Sequence, residues 1–427
     1  MGGSLLPFAI GLALVVPGLL LLNSSLIAAA IPLVLFAIVR ALGDAQAAAP
    51  KLLLHRSFSR SRCVEGDEID IELAITNSGM SAPLVSLVDR LPQELTLIEG
   101  RNRYLGRLSP HEVETLRYTV TAGRGHPQYD TVRIRSWSPW TLTMSESHQP
   151  LSGKLVVHPR IEPLDTIAIR PRRTRAFAGP VKANLGGQGL DFFGCRAYTP
   201  GDDIRRINWR AYARHGSLII NEFELERIAD VNIILDARAK SHTQLDGETT
   251  FDHSVRAAAS LASHFLDQGN NVGLLIYGDY VHWVFPGIGN LKKERILDRL
   301  ANAKLSDKAA FQELRSMPTR LLPPRSQLVL VSPLVDEDDI EVVALLVDRG
   351  YSVLLVCPHS SALIDARGLS EGDRTVQLAR RILDLKRELF LGSLAGVGTS
   401  VIDWNVTVPL RTACRGIHHA HVRRYRT

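Results

Sequence analysis

Apolar positions follow three different patterns along this chain, and the first lies at its N-terminal end. Two nearly continuous apolar runs, Leu5–Leu22 and Leu26–Val39, are separated only by Asn23-Ser24-Ser25. The first run is long enough for a helix of about 27 Å, close to the thickness of a bilayer's hydrocarbon core. A signal peptide is a poorer interpretation, because no basic residue precedes the first run and a second run follows at once. The pattern predicts a two-helix transmembrane hairpin over residues 1–42.

Several basic residues follow the predicted hairpin, among them Arg40, Lys51 and Arg56. Basic residues next to membrane helices favour the cytoplasmic side. We therefore expect residues 43–63 to be a linker at the cytoplasmic face of a bacterial inner or plasma membrane, with all later domains in the cytoplasm. The four cysteines form no CxxC pair, which agrees with a reducing compartment.

The second pattern is strict alternation of apolar and polar residues. Ile69–Thr76, which reads IDIELAIT, is the clearest example, and Asn77-Ser78-Gly79 after it is a turn signal. Further short strands follow at similar spacing. Residues 64–160 therefore predict an all-β sandwich of immunoglobulin-like size, without the Cys-Trp-Cys pattern of true immunoglobulin domains.

The third pattern alternates buried strands with amphipathic helices over residues 229–410. Val231–Ala237, a largely apolar run that ends in a carboxylate, Val272–Gly278 and Leu328–Asp336 are candidate buried strands, and Phe251–Asp267 has apolar residues at helical spacing. This order predicts an α/β doubly wound parallel sheet, in which functional residues lie at the carboxyl ends of strands. The predicted fold class is thus multidomain, with hairpin, sandwich and parallel sheet in sequence, and a basic tail over 411–427.

Between sandwich and sheet lies an Arg- and Gly-rich segment, 161–228, with little regular pattern. Its carboxylates Asp202, Asp203, Glu222 and Glu224 allow a divalent-metal hydrolase or nuclease. The arginines over Arg205–Arg214, beside aromatic side chains, allow nucleic-acid binding. Arginine also pairs with carboxylates bidentately, and a network of Asp–Arg pairs that fixes the loop is the third interpretation. The net charge of +6 demands no nucleic acid, and we expect none.

The run over 185–227 resembles the signature of the domain-of-unknown-function 58 family. The matching pattern includes the stretches DFFGCRAYTPGDD and INWRAYARHG. We take this segment as a binding and structural signature. Its candidate residues are Asp191, Arg196, Tyr198, Asp202, Asp203, Arg205, Trp209, Arg210, Arg214, Glu222 and Glu224.

The resemblance also implies the layout and a partner. It implies that the α/β domain is von Willebrand factor A-like, and that the protein acts with a MoxR-type AAA+ ATPase in the assembly or maturation of other proteins. A-like domains often hold Mg²⁺ through D-x-S-x-S after the first strand. This chain keeps Asp236 but has Arg238 and Lys240 at the serine positions. Ser332 and Asp336 are further candidate ligands, and we expect the metal site to be degenerate.

We therefore predict a membrane-anchored, cytosol-facing adaptor that is not an enzyme. No cofactor is expected, Mg²⁺ at Asp236 being the single candidate. A homo-oligomer is allowed. Asp–Arg pairs are expected to fix the signature segment, and Trp209 is expected to anchor it in an apolar pocket.

Overall fold

The computed structural model of this 427-residue chain describes most of the sequence after residue 50. The described residues are 20–21, 24–25, 28–32, 34–36, 38, 51–79, 82–138, 143–165, 167, 174–175, 181–245, 248–278, 281–306, 321–335, 338–359 and 374–415. They form two compact units, Met1–Val157 and His158–Thr427.

The predicted transmembrane hairpin over residues 1–42 is wrong, and so is the fold class that began with it. Among the described residues, no helix is long and apolar enough to cross a membrane. The longest helical piece described there, residues 28–32, spans about 8 Å, against roughly 30 Å of hydrocarbon. Much of the stretch lies outside the described residues, and the described fold of this unit consists of β-strands from Leu52 onward.

Eight strands of the first unit form two antiparallel four-stranded sheets, in the orders β1-β3-β7-β5 and β6-β4-β8-β9. The strands of the first sheet are β1 (Leu52–Phe58), β3 (Glu68–Asn77), β5 (Leu95–Gly100) and β7 (Val113–Ala122). Those of the second are β4 (Ala82–Asp89), β6 (Arg103–Leu108), β8 (Gln128–Ser138) and β9 (Thr143–Lys154). Two short strands, β2 (Arg62–Val64) and β10 (Val156–His158), pair with each other.

Alternation along the strands gives this sandwich its core. In β3, Ile69, Ile71, Leu73 and Ile75 are buried while their neighbours face outward. A buried ion pair also joins β1 to β4, because Arg56 Nη2 donates to Asp89 Oδ1 at 2.6 Å. Tyr118 Oη donates to the other Asp89 oxygen at 2.7 Å, so the buried carboxylate is well satisfied.

The second unit is built on a sheet with β17, β16, β13, β18, β19 and β20 in that order. Strand β13 pairs in parallel with β16 on one side and β18 on the other. The pairs β18–β19 and β19–β20 are also parallel, whereas β17 is an edge strand antiparallel to β16. The strands are β13 (Ile219–Asp236), β16 (Asn271–Tyr277), β17 (Val281–Gly287), β18 (Gln327–Val331), β19 (Ser352–His359) and β20 (Ser400–Asn405). Minor strands are β11 (Thr174–Arg175), β12 (Val181–Ala197), β14 (Gln244–Leu245) and β15 (Glu248–Thr249).

In the described part of this unit, five helices accompany the sheet: α1 (Trp209–His215), α2 (Thr250–Asp267), α3 (Asn290–Ala301), α4 (Asp338–Asp348) and α5 (Arg374–Gly396). Thr249 and Asp252 cap the start of α2 reciprocally, each side chain accepting a hydrogen bond from the other's backbone N–H. Apolar residues of α2 and α3 pack on one side of the sheet, and those of α4 and α5 join a second cluster. The sheet is therefore covered by apolar side chains on both faces, as a parallel sheet requires.

Candidate functional site

The signature segment forms a β-hairpin at the start of β13. The end of β12 pairs with β13 antiparallel, so that Cys195 lies opposite Asn221 and Ala197 opposite Ile219. The connection folds back onto the strands, because Tyr198 N donates to Leu218 O at 3.0 Å and Asn208 N to Ile219 O at 2.8 Å. We call residues 194–222 the signature hairpin. The glycines of the stretch Gly186–Gly189 lie in β12, where the pairing register with β13 shifts.

Arg196 holds the two ends of the hairpin connection together. Its Nη1 and Nη2 donate to the two carboxylate oxygens of Asp202 at 2.7 and 2.6 Å. Its Nε donates to Glu222 Oε1 at 2.6 Å, and Nη1 also reaches Thr199 Oγ1 at 2.8 Å. One guanidinium thus neutralises two of the four carboxylates that the metal hypothesis required. We call this set of contacts the Arg196 clamp.

The electrostatics of the hairpin follow from the clamp. Hydrogen bonds from Arg196, with another from Thr199 N–H, hold the pKa of Asp202 well below its usual range. Asp203 points elsewhere, because its Oδ1 accepts from Arg205 N and begins a 3₁₀ turn over Ile204–Arg206. The side chains of Asp191 and Glu224 lie outside the described residues. The expected Asp–Arg pairs are present, whereas Asp202, Asp203 and Glu222 do not converge on one point.

Helix α1 is fixed at its ends and exposed along its length. Asn208 Oδ1 accepts from Ala211 N at 3.0 Å, and Gly216, in the left-handed conformation at φ 67°, ends the helix. None of its residues is buried. The side chain of Trp209 is 58% exposed and that of Tyr212 is 42% exposed, with the two rings edge to face at 6.2 Å. The expectation that Trp209 anchors the segment in an apolar pocket is therefore wrong, because the short helix presents this ring to solvent.

Other exposed side chains of the hairpin extend this surface. Arg205, Arg210 and Arg214 are all exposed, and so are Ile204 and Leu218. Tyr198 is half-buried at the base of the connection. We call Ile204, Arg205, Trp209, Arg210, Tyr212, Arg214 and Leu218 the basic–aromatic surface. Its combination of exposed aromatic rings and guanidinium groups is enriched at protein interfaces.

A second polar cluster lies at the carboxyl end of β13, inside the protein. Asp236 is fully buried, and Arg238 donates to it from Nε at 2.9 Å and Nη2 at 2.8 Å. The same guanidinium contacts Asp339 Oδ1 and Oδ2, at 3.2 and 3.0 Å. Ser332 Oγ completes the set by donating to Asp236 Oδ2 at 2.7 Å. We call these four residues the interior arginine cluster.

The interior arginine cluster does not fit a magnesium ion. Burial raises the pKa of Asp236, but the hydrogen bonds and charge of Arg238 outweigh burial and hold the pKa below its usual range. The lone pairs that a cation would use are directed at guanidinium N–H groups, and a positive charge already lies between the two carboxylates. Asp336 lies outside the described residues. Over the ranges that the structure describes, no group of three metal-ligating side chains occurs.

Two members of this region were missed by sequence reasoning. Asp339 is the second carboxylate on Arg238, but it lies far along the chain at the start of α4, where an acidic first turn is common. His242 Nε2 lies 2.8 Å from the backbone oxygen of Asp236, and its Nδ1 lies 3.2 Å from Thr250 Oγ1. Nothing in the spacing of these residues indicated either contact.

Comparison with known sequences identifies the part of the chain that contains the Arg196 clamp and the interior arginine cluster. Residues 194–363 match the family described as a protein of unknown function, DUF58. This stretch is a DUF58 domain. It begins inside the signature hairpin and extends past β19, so the family predicted from the signature is confirmed over these residues. Among curated proteins, none matches the chain.

Solved structures share only limited similarity with the chain that contains this DUF58 domain. The cupredoxin domain of amoB from Nitrosocaldus yellowstonii is 10% identical, with a TM-score of 0.19, and the match covers 25% of this chain and 86% of that one. Native alpha-2-macroglobulin from Escherichia coli is 20% identical, with a TM-score of 0.23, and the match covers 29% of this chain and 20% of that one. A CARDB domain from Pyrococcus furiosus is 16% identical, with a TM-score of 0.19, and the match covers 26% of this chain and 94% of that one. TM-scores this low support no conclusion about fold or function.

Proposed function

We propose that this protein is an adaptor that binds another protein through the basic–aromatic surface of its DUF58 domain. The observation that carries the proposal is helix α1, which has seven residues and none of them buried. Isolated helices shorter than about 12 residues are marginal in water. Within the described part of the chain, this short helix is held by its caps and the hairpin. Such a helix suits a surface that a partner completes.

The Arg196 clamp supports the same function. Binding through a loop costs less free energy when the loop is already ordered, because less conformational entropy is lost. Asp202 and Glu222 fix the hairpin through Arg196 and leave Trp209, Tyr212 and the outer arginines available. The partner surface that fits is acidic and contains an apolar recess for the indole ring.

We propose a MoxR-type AAA+ ATPase as this partner, on the strength of the family resemblance. We also propose that the parallel sheet is von Willebrand factor A-like. Its support is the position of Asp236 at the carboxyl end of β13, with Ser332 and Asp339 supplied by later parts of the chain. The location at an inner or plasma membrane, with the soluble domains facing the cytoplasm, stays a prediction, and so does the alternative of a divalent-metal hydrolase or nuclease. That alternative requires Mg²⁺-dependent turnover by the purified protein.

Binding of the purified full-length chain to a MoxR-type ATPase, measured with and without nucleotide, tests the function. Trp209→Ala is expected to raise the dissociation constant about 30-fold or more, which is the loss of affinity typical of an interfacial hot spot. The Arg210→Ala/Arg214→Ala double variant is expected to weaken binding less, and to make it less sensitive to salt. Phe285→Ala removes another exposed aromatic ring, from β17, and serves as the matched control.

Two outcomes would contradict different parts of this proposal. Binding that is equally strong for the wild type and Trp209→Ala would place the docking site outside the hairpin. Absence of binding to the ATPase, in an experiment where the protein is folded by circular dichroism, would remove that partner class.

A further inference from the structure

Helix α5 has an inner apolar face that packs on the sheet. Phe390, Leu391 and Leu394 belong to the cluster beneath the helix, and Leu394 is fully buried. Arg387 lies on the same side, where its Nη2 donates to Asp403 Oδ1 at 2.6 Å and to the backbone oxygen of Cys357. These contacts fix which side of α5 faces the protein.

The opposite side of α5 is also apolar, and it faces solvent. Leu378, Ile382, Leu385 and Leu389 are 57%, 55%, 53% and 73% exposed. At 100° per residue, these four positions lie about 180° from the inner face. A helix that is apolar on two opposite sides has apolar surface for two partners, and the sheet is only one of them. We call these four residues the outer stripe.

The spacing of the outer stripe specifies the geometry of the second partner. The steps between its members are four, three and four residues. This is the repeat of a coiled-coil seam, in which apolar a and d positions recur every 3.5 residues. The stripe therefore fits another α-helix that crosses it at a shallow angle.

We propose that the outer stripe binds the same stripe of a second copy of this chain, with the two α5 helices antiparallel. With Leu378 and Leu385 at d positions, Ile382 and Leu389 are at a positions. Arg381 and Glu388 are then the flanking g residues, and both are exposed. In an antiparallel pair, g residues face each other, so Arg381 of each copy meets Glu388 of the other.

Charge complementarity decides the orientation. In a parallel pair, Arg381 of each copy would lie beside Lys386 of the other, which gives two contacts between like charges. Like charges at these positions repel. The antiparallel pair replaces both repulsions with two opposite-charge contacts, while Ile382 packs against Leu385 of the second copy. The helix is thus self-complementary in one orientation. This inference does not rest on the proposed function, because it uses residues far from the signature hairpin in the sequence.

The short length of the stripe implies a weak dimer. From Leu378 to Leu389 the helix rises about 16 Å, roughly three turns. Standard stable interfaces bury about 1,200–2,000 Å² in total, which a three-turn seam alone does not reach. The expected association is therefore concentration-dependent and reversible.

Sedimentation velocity of the full-length chain over a concentration series tests the proposal. Arg381→Glu and Glu388→Arg each replace two attractive contacts with two repulsive ones, and each is expected to weaken the dimer about tenfold. An equimolar mixture of the two variants restores both opposite-charge contacts and is expected to form a heterodimer of wild-type strength. Arg295→Glu, the same charge reversal on the exposed side of α3, is the control.

The restoration in the mixture separates a specific seam from a folding defect, because each variant chain is unchanged by mixing. Leu385→Asp, which puts a charge in the middle of the stripe, is expected to abolish the dimer. A wild-type chain that stays monomeric would overturn the proposal. So would a self-association that responds equally to Arg295→Glu and Arg381→Glu, or one that neither reversal alters.

Discussion

The guanidinium of Arg238 binds the carboxylate of Asp236 through Nε and Nη2, at 2.9 and 2.8 Å, and neither side chain is more than 2% exposed. A fixed positive charge therefore lies where an A-like domain would bind a cation. Buried ion pairs of this kind contribute little over an apolar core, but removing one partner leaves an unpaired buried charge.

Arg238→Ala is expected to lower the free energy of unfolding by about 3–5 kcal/mol, because it removes the guanidinium that neutralises the buried carboxylates of Asp236 and Asp339. Chemical denaturation of the full-length chain measures this change. Lys240→Ala, at an exposed position two residues away, is the control and is expected to change stability by less than about 0.5 kcal/mol. A loss below about 1 kcal/mol for Arg238→Ala would show that the cluster relaxes without its arginine.

His242 is expected to make stability depend on pH. Burial lowers the pKa of its imidazole, which packs against the ring of Phe251. Above the unfolded-state pKa of about 6.5 both states are neutral, so the full stability is present. As the pH falls below that value, the unfolded state takes up a proton first and stability is lost.

Denaturation of the wild type and of His242→Gln at pH 7.5 and 5.5 measures this effect. The loss between the two pH values is expected to be smaller in the variant. His264 and His359, whose pKa values burial also lowers, contribute to the remaining pH dependence in both proteins. Equal losses in the two proteins would exclude His242 as a source of the pH dependence.

Asp202→Asn is expected to loosen the signature hairpin while leaving the rest of the domain unchanged. The substitution removes the charge that Arg196 binds at 2.6 Å, in a part of the fold that is exposed. Hydrogen exchange followed by mass spectrometry is expected to be faster across residues 198–218 and unchanged in β16 and β18. Asp203→Asn is the control, because asparagine caps a helical turn as well as aspartate does. Equal exchange in both variants would contradict the clamp.

In the sandwich, Asp89→Ala is expected to lower the free energy of unfolding of the first unit by about 3–5 kcal/mol. The substitution leaves buried Arg56 without its carboxylate and Tyr118 without its acceptor. Tyr118→Phe removes only the hydroxyl contact and is expected to cost about 1–2 kcal/mol. Denaturation monitored at more than one wavelength measures both. Equal losses for the two variants would contradict the dominant role of the ion pair.

Regular elements with clear periodicity were accessible from the sequence. The alternation over Ile69–Thr76 marks β3, because a single buried face imposes its period on the residues. The helical spacing of apolar residues over Phe251–Asp267 marks α2. The N-terminal hairpin shows the limit of this reasoning. Apolar composition alone predicted spanning helices at Leu5–Leu22 and Leu26–Val39, and the described residues contain none of that length.

The candidate sites were less accessible, because their contacts join residues that are distant in the chain. The pattern DARAK over 236–240 places two basic side chains, Arg238 and Lys240, close to Asp236 in the sequence. It does not indicate that Asp339 is the second carboxylate to accept hydrogen bonds from Arg238. Trp209 was misplaced because large rings are usually buried, whereas none of the residues of α1 is buried in the structure.

Strand β13 has a mechanical consequence. It is one continuous strand from Ile219 to Asp236, about 60 Å long. The signature hairpin lies at its first end, and its other end pairs with β16 and β18 in the centre of the sheet. Tension applied at the hairpin would travel along this single backbone. It reaches β16 and β18 as shear, shared between two ladders of parallel hydrogen bonds. The protein can therefore bear a load at its hairpin without relying on any flexible tether between that surface and its core.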